Sequence, residues 1–244
     1  MQDLKLSEAL KKTINGFVES LKQTYGNDLI SVALYGSAAS GELVEAHSNI
    51  NLLVVLKNTD LPTLDVSRKL VNKFSHDRVE PLFLSHEYLL NSIDVFPIEF
   101  LDMKENHHCL YGQDVLKGIQ IDLKNLRFQC EQELKSKLIL LKQQYLKINL
   151  RDKNVLAKLL FKHVTSVTHL LRNLIRLRGK QPSYRKEEAL KEVAVEFQVG
   201  TASFLRILEA KRNLKNFKAD DLRSLLVDFV FELETIVKKV DILK

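Results

Sequence analysis

Gly36 and Ser37 end a short apolar stretch, and two asparagines follow at positions 49 and 51. A glycine at the end of a strand lets the backbone approach a phosphate closely, and a serine hydroxyl or a backbone N–H can bond that phosphate. Alternate residues of a strand point to the same face, so Asn49 and Asn51 are expected to project together. Two like side chains facing such a turn are the arrangement that holds a metal-bound triphosphate, and carboxylates are the ligands that this chemistry needs.

The segment VALYGSAASGELVEAHSNINLLVV (32–55) carries this pattern. It resembles the nucleotidyltransferase superfamily of DNA polymerase beta, in particular small bacterial nucleotidyltransferase-domain proteins with an appended helical domain. The superfamily pattern is a Gly-Ser or Gly-Gly turn, a spacer, an Asp–hydrophobic–Asp pair and a third carboxylate on a later strand. The resemblance implies that Gly36 and Ser37 bind nucleotide and that Asn49 and Asn51 occupy the metal-binding positions. It also implies that Glu99 is the third, catalytic carboxylate, with Asp102 as a second candidate.

Asparagine at both positions departs from the superfamily pattern and decides the functional prediction. The resemblance implies Mg²⁺ and a nucleoside triphosphate as cofactors, but a Mg²⁺ site normally rests on one or two carboxylates plus phosphates. Nucleotidyl transfer depends on electrostatic stabilisation, so the substitution predicts a catalytically impaired nucleotide-binding or regulatory module. The alternatives are an active enzyme that transfers a nucleoside monophosphate, using Glu99 with Glu42 or Glu45, and deliberate inactivation of the site.

A second cluster, RNLIRLRGKQPSYRK (172–186), concentrates positive charge. Arg172 and Arg176 lie one helix turn apart and are expected to share a face, with Arg178 and Lys180 close behind. These four residues form a predicted anion-binding patch for a phosphate, an RNA strand or an acidic protein. The alternative is that the cations favour a helix C-terminus and a solvated loop. The resemblance also implies that the helical region helps to bind an acceptor substrate.

Other candidate ligands have structural interpretations. His107, His108 and Cys109 are adjacent, but no second pair of ligands follows at a zinc spacing. His163 and Cys130 fall on the apolar stripes of predicted helices and are expected to lie in the core.

The elements around these residues follow from the hydrophobic pattern. Residues 7–25, 62–75 and 86–94 are predicted helices, and residues 29–36, 49–58, 79–85 and 97–105 are predicted strands, the last ending in HHCLYG. Long stripes at spacings of three and four predict helices from residue 119 onward. The predicted fold class is therefore an α/β (α+β) N-terminal domain with a small mixed sheet over residues 1–118, followed by an all-α bundle over residues 119–244.

Composition and charge agree with this division. Residues 1–118 carry 11 Lys and Arg against 16 Asp and Glu, whereas residues 119–244 carry 26 against 15.

The sequence has no apolar run long enough to cross a membrane, and its first residues have no apolar signal core, so a cytoplasmic protein is predicted. Two cysteines cannot form a disulfide framework. The stripes on the later helices also leave a dimer open, since one sequence does not distinguish a dimer face from an internal core.

Overall fold

The computed structural model describes residues 6–41, 49–183 and 185–243. Contacts within the chain divide it into two compact units, the first ending at Asp122 and the second beginning at Leu123. The sequence pattern placed this boundary after residue 118.

The first unit contains a four-stranded mixed sheet. Its strands are β1 (Leu29–Tyr35), β2 (Ile50–Leu56), β3 (Val79–Ser85) and β4 (His107–Gly112). They lie in the order β3-β2-β1-β4, in which β1 pairs antiparallel with β2 and β4, and β2 pairs parallel with β3. β3 is therefore an edge strand, and it carries Pro81 opposite Leu52 of β2. The predicted small mixed sheet is confirmed.

Helices of the first unit pack against both faces of this sheet. They are α1 (Glu8–Tyr25), α2 (Ser37–Ser40), α3 (Leu61–Asp65), α4 (Arg68–Ser75), α5 (His86–Asn91) and α6 (Pro97–Glu105). The Ser7 hydroxyl caps α1 by accepting from Leu10 N at 3.4 Å, as expected for a serine before an amphipathic run. Ile14 and Phe17 of α1 join Leu52 of β2 in one core cluster. Leu53 and Val55 point the other way, into a second cluster.

Residues 97–105 form helix α6, so the prediction of a strand there was wrong. Pro97 occupies the first turn, where its fixed φ suits a helix and its missing N–H costs nothing. Glu99 also lies in the first turn, where a carboxylate is favoured by the helix dipole. The fourth strand is instead HHCLYG, directly after α6. The predicted helix over 62–75 is likewise divided into α3 and α4.

All regular secondary structure in the described part of the second unit is helical. Its helices are α7 (Leu123–Tyr145), α8 (Lys153–Leu177), α9 (Lys186–Phe197), α10 (Ala202–Arg212) and α11 (Ala219–Asp241). Phe204 of α10 and Phe229 of α11 are fully buried with their ring centroids 4.6 Å apart. Glu232 of α11 accepts from the backbone N–H groups of Ala202 and Ser203, both at 3.1 Å. This carboxylate satisfies N–H groups that the start of α10 leaves without a helical partner.

No helix among the described residues is long and apolar enough to span a bilayer.

Candidate functional site

The turn after β1 has a backbone that requires glycine. Gly36 has φ 73° and ψ −149°, a region that side chains other than glycine rarely enter. A Cβ at this position would also lie 3.1 Å from Nδ2 of Asn51. The Gly36 carbonyl accepts from Ala39 N at 2.9 Å and Ser40 N at 3.0 Å, which forms the short helix α2. The turn therefore presents Ser37 at the start of a helical turn, directly after the glycine that lies against the side chain of Asn51.

Asn51 is the half-buried second residue of β2, and Asn49 is an exposed residue just before that strand. The contact with Gly36 places Asn51 beside the predicted phosphate turn. Glu42 and Glu45 belong to residues 42–48 and lie outside the described part of the chain.

One row of residues crosses the whole sheet through Asn51. Glu80 of β3 is its register partner on one side, and Tyr35 of β1 is its partner on the other. Tyr35 pairs in turn with His107 of β4. Register partners of neighbouring strands lie on the same face of a sheet, so these four residues share the face to which Asn51 belongs.

Glu80 is the candidate that the sequence analysis missed. It is exposed and lies directly beside Asn51, whereas Glu99 lies on the exposed side of helix α6 and not on a strand. The register with Asn51 makes Glu80 a further candidate for the third acidic residue, in addition to the predicted Glu99. The available signal was that Glu80 is the one acidic residue of the otherwise apolar strand VEPLFLS, but only the parallel pairing of β2 and β3 brings it next to Asn51.

His107 of β4 is the last residue of this row, at the opposite end from Glu80. Its Nε2 lies 2.9 Å from Oδ1 of Asp114 and its Nδ1 lies 3.0 Å from the Lys104 carbonyl oxygen. Although partial burial opposes ionisation of Asp114, hydrogen bonds from His107 and Lys117 N hold the pKa of that carboxyl below its ordinary value. Burial raises the pKa of Tyr35 above its ordinary value, which keeps the phenol protonated. His108 and Cys109 are exposed on β4.

The four residues of the predicted anion-binding patch in the second unit have different surroundings. Arg176 is buried and donates to Oδ1 of Asn173 at 2.6 Å, and anion binding by this residue stays a prediction. Leu174 and Ile175 beside it are also buried. This part of α8 therefore faces the core, whereas the charge pattern suggested that it faces solvent. Arg178 lies over the ring of Phe197 and Lys180 pairs with Glu196, whereas Arg172 lines a pocket between α8, α9 and α10. Tyr184 is outside the described residues.

Cys130 and His163 are buried in the second unit, as predicted. Nε2 of His163 lies 2.8 Å from Oε1 of Gln144. Burial, together with the nearby charges of Lys162 and Lys137, lowers the pKa of His163 from 6.5 to about 4.

This lowered pKa predicts acid sensitivity of the second unit. The unfolded chain takes up a proton at His163 below about pH 6.5, whereas the native state resists protonation until about pH 4. We therefore expect the free energy of unfolding to decrease as the pH falls from about 6.5 to about 4. In His163→Gln, the part of this pH dependence that comes from His163 should be absent. Urea denaturation at a series of pH values measures it. His76→Gln, at an exposed position of the first unit, is the control, and parallel profiles for His163→Gln and the parent chain would contradict the assignment.

Comparison with known proteins agrees with this arrangement. The chain is similar to the crystal structure of spectinomycin adenyltransferase from Enterococcus faecialis with ATP and spectinomycin, with a TM-score of 0.58 and 14% identity over 92% of this chain and 99% of that one. This chain has the nucleotidyltransferase fold. The resemblance found in residues 32–55 is thus confirmed at the level of the fold.

A second similarity concerns sequence. A protein of Methanocaldococcus jannaschii to which protein adenylyltransferase activity is ascribed is 40% identical over 68 residues. This match covers 27% of the present chain and 46% of the relative, less than half of the relative's length. No family model matches the chain.

Proposed function

We propose that the first unit binds a nucleoside triphosphate at the Gly36–Ser37 turn and that nucleotidyl transfer from it is impaired. The protein would then act as a nucleotide-binding or regulatory module. The observation that carries this proposal is the position of Asn51, whose neutral amide lies against Gly36 where the nucleotidyltransferase pattern has a metal-binding carboxylate. The similar adenyltransferase structure contains ATP, which supports a nucleotide as the ligand.

The residues at this turn fit a divalent cation poorly. Asn49 and Asn51 offer neutral amide oxygens, and Glu80 is the carboxylate that the register brings beside them. Hard cations such as Mg²⁺ are held by anionic oxygens, and removal of two formal charges weakens that attraction. Among the described residues there is no group of three or more His, Cys, Asp or Glu that could hold a metal ion. We therefore assign nucleotide binding to the turn and its backbone N–H groups, with no step that passes through a metal.

Thermal unfolding with ATP, GTP, CTP and UTP tests this proposal. At least one nucleotide should raise the melting temperature, and the shift should be similar with Mg²⁺ and with EDTA. A ligand at a hundred times its Kd stabilises the native state by about 2.7 kcal/mol. Ser37→Ala should reduce the shift because it removes a phosphate-bonding hydroxyl. Ser40→Ala, at an exposed position on the same short helix, should leave it unchanged.

Two results would count against the proposal. Absence of a shift with all four nucleotides would contradict nucleotide binding. Rapid transfer of a labelled nucleoside monophosphate, lost in Glu80→Gln, would contradict impairment.

The second of these results defines the alternative function, an active nucleotidyltransferase acting on a small molecule, an RNA or a protein. The position of Glu80 beside Asn51 favours this alternative, because one anionic group remains at the site. The similar proteins are described as adenylyltransferases, which supports a nucleoside monophosphate as the group transferred.

A non-enzymatic role for the second unit is a further candidate. Its excess of positive charge supports an interaction with RNA or an acidic protein. Burial of Arg176 removes one cation from the surface predicted for it. Salt-dependent RNA binding that Arg172→Ala weakens would support this role.

A further inference from the structure

The connection between α7 and α8, together with the first half of α8, is rich in positive charge. From residue 134 to residue 186 the sequence contains one acidic residue, Asp152. Five cations lie near it in the chain and make up the basic surface of the second unit: Lys147, Arg151, Lys153, Lys158 and Lys162. Lys153 is half-buried, and the other four are exposed. The basic surface shares no residue with the anion-binding patch predicted at the end of α8.

Helix geometry and one contact between α7 and α8 bring these cations near one another. Lys158 and Lys162 lie one turn apart on α8 and share a face of the helix. Nε2 of His163, the residue after Lys162, lies 2.8 Å from Oε1 of Gln144 at the end of α7. Lys147 follows Gln144 by three residues, so the connection begins beside the turn of α8 that carries Lys162.

The charge of the basic surface is not neutralised by side-chain carboxylates. None of its five cations forms an ion pair within the described part of the chain, whereas Lys135 and Lys142 of α7 pair with carboxylates of α11. Asp152 is the N-cap of α8, and its Oδ1 accepts from Asn154 N at 2.8 Å and from Val155 N at 3.2 Å. This carboxylate therefore stabilises the start of the helix.

The titration of a buried neighbour shows the positive potential of this region. Burial is the largest cause of the lowered pKa of His163, and the charges of Lys162 and Lys137 lower that pKa further. The potential that opposes a proton on His163 attracts an anion outside the helix pair.

Two aromatic side chains accompany these cations. Phe161 directly precedes Lys162, and Tyr145 is the last residue of α7, two positions before Lys147. Both aromatic residues are half-buried, so part of each is accessible to a ligand. Cations that contact phosphates, together with rings on which bases stack, are the combination that binds single-stranded nucleic acid. An acidic peptide would match the cations but would bring no base to the rings.

We propose that the basic surface binds a single-stranded nucleic acid, with its cations on the phosphates and Phe161 against a base. Lys153 and Lys162 are separated by roughly 14 Å along α8 at 1.5 Å per residue, so an extended polyanion fits the surface better than one phosphate group. This inference rests on the RNA-binding role considered for the second unit and assigns it a surface. Nucleotide binding by the first unit is not required, and the two are measured with different ligands.

Fluorescence anisotropy of the full chain with labelled oligouridine and oligothymidine of about 20 nucleotides tests the proposal and distinguishes RNA from DNA. Binding of either strand supports it, with a logarithm of the association constant that falls by about 0.7 per phosphate contact for each tenfold increase in salt. Lys158→Gln/Lys162→Gln should weaken binding at least about tenfold near 0.1 M salt and reduce this slope by about 1.4, because two phosphate contacts are lost. Both positions are exposed, so the variant should fold.

Phe161→Leu tests the contact with a base. It keeps an apolar side chain at a half-buried position and should weaken oligonucleotide binding with an unchanged salt slope, because stacking involves no counterion. Unchanged affinity in this variant would overturn the stacking contact.

Lys69→Gln/Lys73→Gln is the matched control, because it removes two exposed lysines one turn apart on α4 of the first unit. It should change the affinity less than about twofold. Equal weakening by the two double variants would assign the binding to the general charge of the chain and overturn the proposal. Equal affinity for polyglutamate would overturn it in favour of an acidic protein. Binding that Arg172→Ala abolishes and Lys158→Gln/Lys162→Gln leaves intact would place the nucleic acid elsewhere on the second unit and also overturn it.

Discussion

If transfer is impaired as proposed, replacing Asn49 and Asn51 together by Asp should create Mg²⁺-dependent nucleotidyl transfer. The two new carboxylates would join Glu80, which is in register with position 51, to supply the anionic oxygens that hold divalent cations. Single preorganised electrostatic groups change rates by about 10²–10³-fold, so we expect an increase of at least about a hundredfold. Release of pyrophosphate from each nucleoside triphosphate, with and without Mg²⁺, measures it.

Further variants of this double mutant identify the third carboxylate. Addition of Glu80→Gln should abolish the gain, whereas addition of Glu99→Gln should preserve it, because Glu99 lies on helix α6. Asn72→Asp, at an exposed position of α4, is the control for added charge. A folded double mutant with no gain in transfer and no Mg²⁺-dependent ATP affinity would show that positions 49 and 51 do not form a metal site.

Gly112→Ala should be severely destabilising. The Cβ of an alanine here would lie 2.0 Å from the carbonyl oxygen of Ile30, and Gly112 has φ 74°. The clash is with backbone atoms of β1, so β4 would have to separate from that strand. We expect a loss of more than about 3 kcal/mol in the free energy of unfolding, which combines overpacking with backbone strain. Urea denaturation followed by circular dichroism measures it.

Gly118→Ala is the matched control, in the segment that follows β4. A Cβ at Gly118 has no atom within 4 Å, and its φ is not positive. This substitution should change the free energy of unfolding by less than about 1 kcal/mol, or stabilise slightly by restricting the unfolded chain. Equal effects at both glycines would contradict the role assigned to the close approach of β4 and β1.

Local signals in the sequence were sufficient for much of the fold. Ser7 before an amphipathic run and Gly26 after it mark the ends of α1, and the structure places that helix over Glu8–Tyr25. The strand predicted over 79–85 is β3, which has these same bounds. These elements have strong periodicity and clear boundaries, so neighbours in the chain determine them.

The errors concern information that the local sequence lacks. Residues 97–105 were predicted to be a strand, but Pro97 and Glu99 are favourable in a first helical turn, and the segment forms helix α6. Arg176 has the spacing of a surface cation, yet α8 is buried on several sides in this region. Glu80 was overlooked because its neighbour Asn51 is 29 positions away, and only strand pairing joins them.

The edge strand β3 affects how readily the sheet can pair with a second chain. Pro81 on β3 carries no amide hydrogen, and it stands on an edge strand, where proline is tolerated because it interrupts few ladder bonds. A foreign strand that aligned along β3 would lack a donor at this point. Proline on an edge strand is one of the features that oppose pairing with a second chain, so we expect β3 to be a poor template for strand addition.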